Sequence, residues 1–169
     1  QLGFSSVSFD MFAVELFCSI LLGRTLFLLN EEELKNPSKI SKKIIDNNID
    51  FLITTPTKIE LLLSNSETAK SLKILKGFQL GGEVLSPSLY KKISSCTNAK
   101  IYNGYGPTEI TACCSNKLVT ASDDINIGTP NPNVQIYILD KFLIPCPIGV
   151  PGEIFVSGVG VSNGYINDS

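Results

Sequence analysis

Residues 78–109 read FQLGGEVLSPSLYKKISSCTNAKIYNGYGPTE, and their order decides the fold. FQLGG is an apolar strand running into a glycine turn. Ser86 followed by Pro87 offers an N-cap with proline at the first helical position, opening a helix through Ile93. KIYN at 100–103 is the next strand, and it delivers the loop NGYGPTE. Strand, turn, helix, strand is the unit of a parallel α/β layer. Moving upstream, Pro56 to Leu63 reads as a helix, FLIT at 51–54 as a strand, and Pro37 opens a helix through Ile45. The αβαβ alternation therefore runs to about residue 120.

Downstream of it the helical period disappears. VQIYIL at 134–139 and EIFVSG at 153–158 lie between GTPNPN and PCPIGVPG, which predicts a β-rich segment, antiparallel or distorted barrel-like. The expected organisation is an α/β subdomain over 1–120 and a β-rich subdomain over 121–169. At the other end, MFAVELFCSILLGRTLFLL (11–29) approaches the roughly 20 residues of a membrane span, but Glu15, Gly23 and Arg24 interrupt it. It reads as a buried helix, a glycine cap and a strand, with no membrane role.

With 169 residues, 43% of them hydrophobic, the chain can bury a real core. A net charge of −2 argues against a nucleic-acid surface, yet permits one bound nucleotide. There is no histidine, and the five cysteines form no CxxC pair, which excludes a His-based triad and disfavours zinc. Dispersed cysteines fit free thiols in a reducing cytoplasm. The sequence begins at Gln1 without Met and stops at NDS, as expected of an internal piece of a longer protein.

Ligands of open α/β sheets sit beyond the carboxyl ends of the strands, where three loops fall: TTPT (54–57), GGEVLSPS (81–88) and NGYGPTE (103–109). Within the last, Tyr105 offers a face for stacking and Asn103 a donor and an acceptor for the amino edge of adenine. Thr108 brings a hydroxyl for a phosphate oxygen, Glu109 a hard oxygen ligand for Mg²⁺, and Gly104 and Gly106 let the backbone approach closely. Singly, these residues are equally a core aromatic, a turn former and a surface charge. The combination points to a Mg·nucleotide.

NGYGPTE resembles the nucleotide-binding signature of adenylate-forming enzymes, particularly the adenylation domains of nonribosomal peptide synthetases. The resemblance extends through FSSVSFDMFAVELFCSILLGRTLFLL (4–29), GGEVLSPSL (81–89), IGTPNPNVQIYILD (127–140) and PIGVPGEIFVSGVGVSNGYIND (147–168), in order, over nearly the whole chain. It implies part of the family's N-terminal domain: an enzyme that joins a carboxylate to ATP, releases pyrophosphate, and passes the acyl group to the phosphopantetheine thiol of a carrier domain, beside condensation domains. By resemblance, Asn103, Gly104, Tyr105 and Gly106 hold adenine, with Gly82 and Glu83 bordering it. Thr108 and Glu109 are catalytic, Thr108 at phosphate and Glu109 on Mg²⁺.

Asp10 has two readings. In the amino-acid-activating branch the matching Asp pairs with the substrate's α-ammonium group. Alternatively Asp10 caps the helix 11–22 with Phe9 as its staple. By the same resemblance, the side-chain pocket is expected to be lined by Met11, Val14, Ile53, Gln79, Gly81, Gly104, Ala112 and Cys113. Its small and apolar walls carry no charge, so a bulky apolar or aromatic amino acid fits, with Gln79 placed to meet a polar tip.

The family's phosphate loop, its ribose-binding Thr-Gly-Asp and its C-terminal Lys have no match here. Lys58, Lys91, Lys92 and Lys100 read as solvated surface charges rather than substitutes. The piece alone is therefore expected to be inactive. The rivals are an acyl-CoA ligase of the same superfamily, which Asp10 and the proline of GYGPTE weigh against, and a non-catalytic nucleotide-binding module.

Overall fold

The structure, a computed structural model, describes residues 1–166. The last two residues of the GYIND motif, 167–168, and the terminal serine lie outside the described residues.

In chain order the elements are β1 (Leu2–Gly3), α1 (Asp10–Leu21), β2 (Phe27–Leu28), α2 (Glu31–Leu34), α3 (Pro37–Asp46), β3 (Phe51–Thr54), α4 (Pro56–Leu63) and α5 (Ser66–Ala69). There follow β4 (Gly77–Leu80), α6 (Pro87–Cys96), β5 (Lys100–Tyr105), β6 (Ser115–Val119), β7 (Thr129–Pro130), β8 (Val134–Leu139) and β9 (Glu153–Gly158). The large sheet has the order β2-β1-β3-β4-β5-β6-β7. Its first five members run parallel; β6 is antiparallel to β5, and β7 to β6. All loops leaving β1, β3, β4 and β5 consequently open at one edge.

The helices bury single stripes. Ile40 and Ile44 on α3, Ile59 and Leu62 on α4, and Leu89 and Ile93 on α6 are three or four residues apart and enclosed against Leu52, Phe78 and Leu80 of the sheet. Each contributes about 1.5–3 kcal/mol of burial. Capping follows the sequence: Ser86 Oγ accepts from Leu89 N at 3.1 Å, and Asn36 Oδ1 accepts from Ser38 N at 3.0 Å. Gly23, at φ +63°, ends α1 as expected.

One expectation needs correcting. Helix α1 is not a buried helix: it encloses Glu15 and Ser19, while Phe17, Ile20, Leu21 and Leu22 stand exposed. An apolar run reports hydrophobicity, not which element covers it, and here the enclosed face is the one carrying a carboxylate. The large sheet continues past residue 120, where β7 at 129–130 pairs with β6. Beyond it, β8 and β9 form a two-stranded antiparallel ribbon in which Val134 faces Gly158 and Leu139 faces Glu153.

Candidate active site

At the carboxyl edge of β1, β3, β4 and β5 lies a cleft of about 1200 Å³. Every residue expected of the substrate pocket lines it: Asp10, Met11, Val14, Ile53, Gln79, Gly81, Gly104, Ala112 and Cys113. A second hollow of about 460 Å³ is lined by Asn103, Tyr105 and residues 125–127. Gly82, Glu83, Gly104, Gly106 and Pro107 border both. The two chambers thus share one wall, built from the turns after β4 and β5.

The register explains that wall. Leu80 pairs with Asn103, so Gly81 and Gly104 are the next step of a parallel pair. A Cβ at Gly81 would lie 3.1 Å from the Gly104 carbonyl oxygen. Gly82 then turns at φ +78°, a conformation that glycine adopts without strain. Strand β5 runs two residues further than KIYN because β6 pairs back along it, Gly104 facing Asn116 and Tyr105 facing Ser115.

Asp10 is the first residue of α1, not its cap. Phe9 occupies the cap position with no side-chain bond and is 69% exposed, so it staples nothing. Among the described residues the Asp10 carboxylate has no hydrogen-bond partner, and it lines the cleft. The capping role is set aside. Asn103 is buried and donates from Nδ2 to the Asn126 carbonyl at 2.9 Å, which leaves Oδ1 as its acceptor toward the smaller hollow. One of its two Nδ2 hydrogens is thus spent on the fold.

The Glu83 side chain turns toward the start of α4. Its Oε2 accepts from Thr57 N at 3.0 Å and Thr57 Oγ1 at 2.6 Å, at the start of α4. Burial pushes its carboxyl up, but these bonds and nearby Lys58 outweigh that and hold it below the ordinary value. Thr108 lines the larger cleft and begins a single 3₁₀ turn, Thr108–Ile110. Thr111 and Ala112 follow with φ of +63° and +68°, two consecutive left-handed residues with side chains, a strained arrangement that turns the chain under the pocket.

Glu109 is exposed at that turn, and the stretch after β9 returns to hold it. Tyr165 Oη donates to Glu109 Oε1 at 3.1 Å, Ser162 N to the Glu109 carbonyl at 2.7 Å, and Thr111 Oγ1 to the Gly160 carbonyl at 2.7 Å. The adjacent carboxylate raises the Tyr165 hydroxyl above its ordinary pKa. Among the described residues no three His, Cys, Asp or Glu side chains converge. The donor set present, one carboxylate with an unengaged Oε2, fits a Mg²⁺ that takes its other oxygens from phosphates and water.

Sequence reasoning missed four contributors. Glu15, fully buried, accepts from Phe4 N and Ser5 N at 3.1–3.2 Å and from Ser5 Oγ at 2.9 Å. Lys58 is no solvated surface charge: half-buried, it donates to the Phe4 carbonyl at 2.7 Å and lines the cleft. Desolvation pushes Glu15 up and Lys58 down. The lone charge within an apolar helix was the available signal for Glu15. Asn116 and Asn131 also line the cleft, and only strand pairing brings them there.

The AMP-binding enzyme family model matches residues 1–166. The chain is 37% identical over 166 residues to a PKS-NRPS hybrid synthetase, ATPKS, of Aspergillus niger, covering 97% of this chain and 9% of that protein. It is 34% identical over 170 residues to tyrocidine synthase 3 of Brevibacillus parabrevis, covering 97% of this chain and 2% of that one. Among solved structures it resembles the N-terminal subdomain of Klebsiella oxytoca NpsA in complex with 3-hydroxybenzoyl-AMSN, with TM-score 0.82, 26% identity, and coverage of 97% and 43%. A four-domain nonribosomal peptide synthetase, holo-AB3403 bound to AMP and glycine, superposes with TM-score 0.88 at 28% identity, covering 97% of this chain and 12% of that one. The chain thus spans less than a tenth of the curated relatives just named. The matched model, the shared mostly parallel sheet and the double chamber at its edge agree: this chain belongs to the AMP-binding enzyme family.

Proposed function

We propose that this chain forms the substrate- and adenine-facing part of an amino-acid-activating adenylation domain in a nonribosomal peptide synthetase. The observation that carries the reading is the shared wall: one chamber with an unpartnered Asp10 carboxylate at its rim, the other lined by Tyr105 and the Asn103 carboxamide. In this reading adenine occupies the smaller chamber, between Tyr105 and the turn at Gly82 and Glu83, with Asn103 Oδ1 accepting from its amino group. Asp10, half-buried at the rim, meets the α-ammonium group of the amino acid and pairs with its charge. Met11, Val14, Ile53, Ala112 and Cys113 surround a bulky side chain.

The substrate carboxylate attacks the α-phosphorus of ATP, a P–O bond forms as pyrophosphate leaves, and an aminoacyl-adenylate results. This chain's work is to orient the two reactants and stabilise charge. Thr108 Oγ1 donates to a phosphate oxygen. Glu109, fixed by Tyr165, would hold Mg²⁺, which offsets the charge of the triphosphate. A carrier domain's phosphopantetheine then supplies the accepting thiol; solved relatives include an adenylation–PCP fusion of NpsA with ThdA. No helix among the described residues is long and apolar enough to cross a membrane, and a cytoplasmic setting belongs to the same reading.

The test is ATP–pyrophosphate exchange by the full-length protein that carries this chain, with amino acids and with fatty and aryl acids. Amino-acid-dependent exchange, abolished by Glu109→Gln without loss of fold, is the expected result. Exchange with fatty acids alone would move the chain to the acyl-CoA ligases, and no adenylate with any acid would leave a binding module.

A further inference from the structure

The cleft end opposite Asp10's loop holds a chain of carboxamides whose direction is fixed. Asn131 Nδ2 donates to the Cys113 carbonyl at 2.8 Å, and a backbone carbonyl can only accept. Asn131 Oδ1 is therefore the acceptor for Asn116 Nδ2 at 2.9 Å. Asn116 Nδ2 also donates to Cys113 Sγ at 3.3 Å, whose own hydrogen goes to the Ser115 carbonyl at 3.2 Å. Asn116 Oδ1 is left to accept, and Gln79 Nε2 donates to it. Reversing any one amide would set donor against donor or acceptor against acceptor along the whole relay.

The relay ends at Gln79: one of its two Nε2 hydrogens goes to Asn116, and Oε1 is its free acceptor. Among the described residues it has no hydrogen-bond partner, and it is not one of the enclosed unpartnered atoms, which are Gln1 Nε2, Thr54 Oγ1 and Ser115 Oγ. It is an acceptor reachable from the cleft that Gln79 lines. The cleft's two carboxylates, Asp10 and Glu83, lie on other loops, and Glu83 is engaged by Thr57. A cationic tip would find no counter-charge at the relay, and a carboxylate tip would face an oxygen.

Resting on the adenylation reading above, we infer that the substrate amino acid carries a neutral hydrogen-bond donor on its side chain, a hydroxyl, carboxamide or ring N–H. Gln79 Oε1 accepts from that donor. Asn116 and Asn131 are positioning residues that keep this oxygen, rather than the amide nitrogen, turned to the substrate. A substrate lacking the donor leaves the oxygen desolvated and unpaired, and that loss is how the site discriminates.

The experiment is exchange by the full-length protein with near-isosteric pairs, tyrosine against phenylalanine and glutamine against methionine, read as the ratio of kcat/KM within a pair. In the preferred pair the donor-bearing member is expected to lead by about 100-fold. Gln79→Met should bring that ratio near one. Asn116→Leu and Asn131→Leu should lower it about tenfold or more, whereas a merely structural role would depress both members alike. A wild-type preference for the apolar member or for lysine or arginine, or a ratio untouched by Gln79→Met, overturns the inference. Should the Asn variants misfold, Gln79→Met alone decides. Exchange with apolar amino acids sinks only this inference; exchange with no amino acid sinks the adenylation reading beneath it.

Discussion

Lys58 Nζ lies 2.7 Å from the carbonyl oxygen of Phe4, joining α4 to the loop that leads into Asp10. The same loop is gripped from its other side by Glu15, whose carboxylate takes the amides of Phe4 and Ser5. One residue before Lys58, Thr57 is bound by Glu83 of the turn after β4. The turn after β4 and the loop before Asp10 are therefore fastened to a single helix start. In the adenylation reading, that fastening sets the two reactants relative to each other.

Lys58→Met keeps the aliphatic stem and removes the donor and the charge. The lost charge-assisted bond is worth about 1–2 kcal/mol after allowing for its half-exposed setting. Urea unfolding should show that loss, and KM for the amino acid should rise more than KM for ATP, because the freed carbonyl belongs to the Asp10 loop. An equal rise in both constants would mean that Lys58 does not position that loop.

Glu15 makes stability depend on pH. Desolvation raises its folded pKa above the ordinary 4.5, although the amides of Phe4 and Ser5 pull the other way. A group raised on folding favours the folded state fully below its unfolded value, and that contribution is lost as pH rises through the folded value. Glu15→Gln cannot ionise. The stability of wild type relative to Glu15→Gln should therefore fall as pH climbs from 4.5 through the raised value, measured by urea unfolding at a series of pH values. A difference that is flat or rises over that window would place the carboxylate's pKa at or below its unfolded value.

Local chemistry was legible, and long-range partnership was not. Proline at the first position and a single apolar stripe located α4 to the residue, and alternation between Pro and Gly clusters located β8 and β9. The pocket residues came from the family resemblance rather than from spacing, and the structure puts all of them along one cleft. What decides Glu109's environment, however, is Tyr165, 56 residues away, and no local pattern joins the two. Asn116 and Asn131 drew no reading from the sequence, and it is the pairing of β6 with β7 that brings them to the cleft. Asp10 looked like a cap because favourable cap residues and functional carboxylates share a chemistry, and only the backbone separates them.

Asp10→Ala separates those two roles in the enzyme. As a first-turn acid rather than a cap, Asp10 contributes to α1 only through the helix dipole, about 0.3–1 kcal/mol. Amino-acid KM should rise by about 100-fold or more as the α-ammonium loses its partner, while the dissociation constant for ATP changes little. Unfolding midpoints close to wild type, alongside that split, are the expected result. A parallel loss of nucleotide binding and stability would return Asp10 to a structural role.

Gly104→Ala tests the shared wall. A Cβ there would overlap Gln79 Nε2 and stand 3.2 Å from Asn116 Oδ1 and 3.3 Å from Cys113 Sγ, with no backbone atom so close. Side-chain ends can move, so the fold should survive with a cost of about 1–3 kcal/mol. The displaced Gln79 cannot keep its bond to Asn116, and its carboxamide is then free to present either nitrogen or oxygen. Because Gly104 borders both chambers, ATP binding is expected to weaken less than substrate choice, and the ratio of tyrosine to phenylalanine or glutamine to methionine exchange to collapse. Fluorescent-nucleotide titration and pyrophosphate exchange on the same preparation measure both. Retained discrimination with weakened ATP binding would put Gly104 on the nucleotide's side of the wall and leave the carboxamide relay without a part in substrate choice.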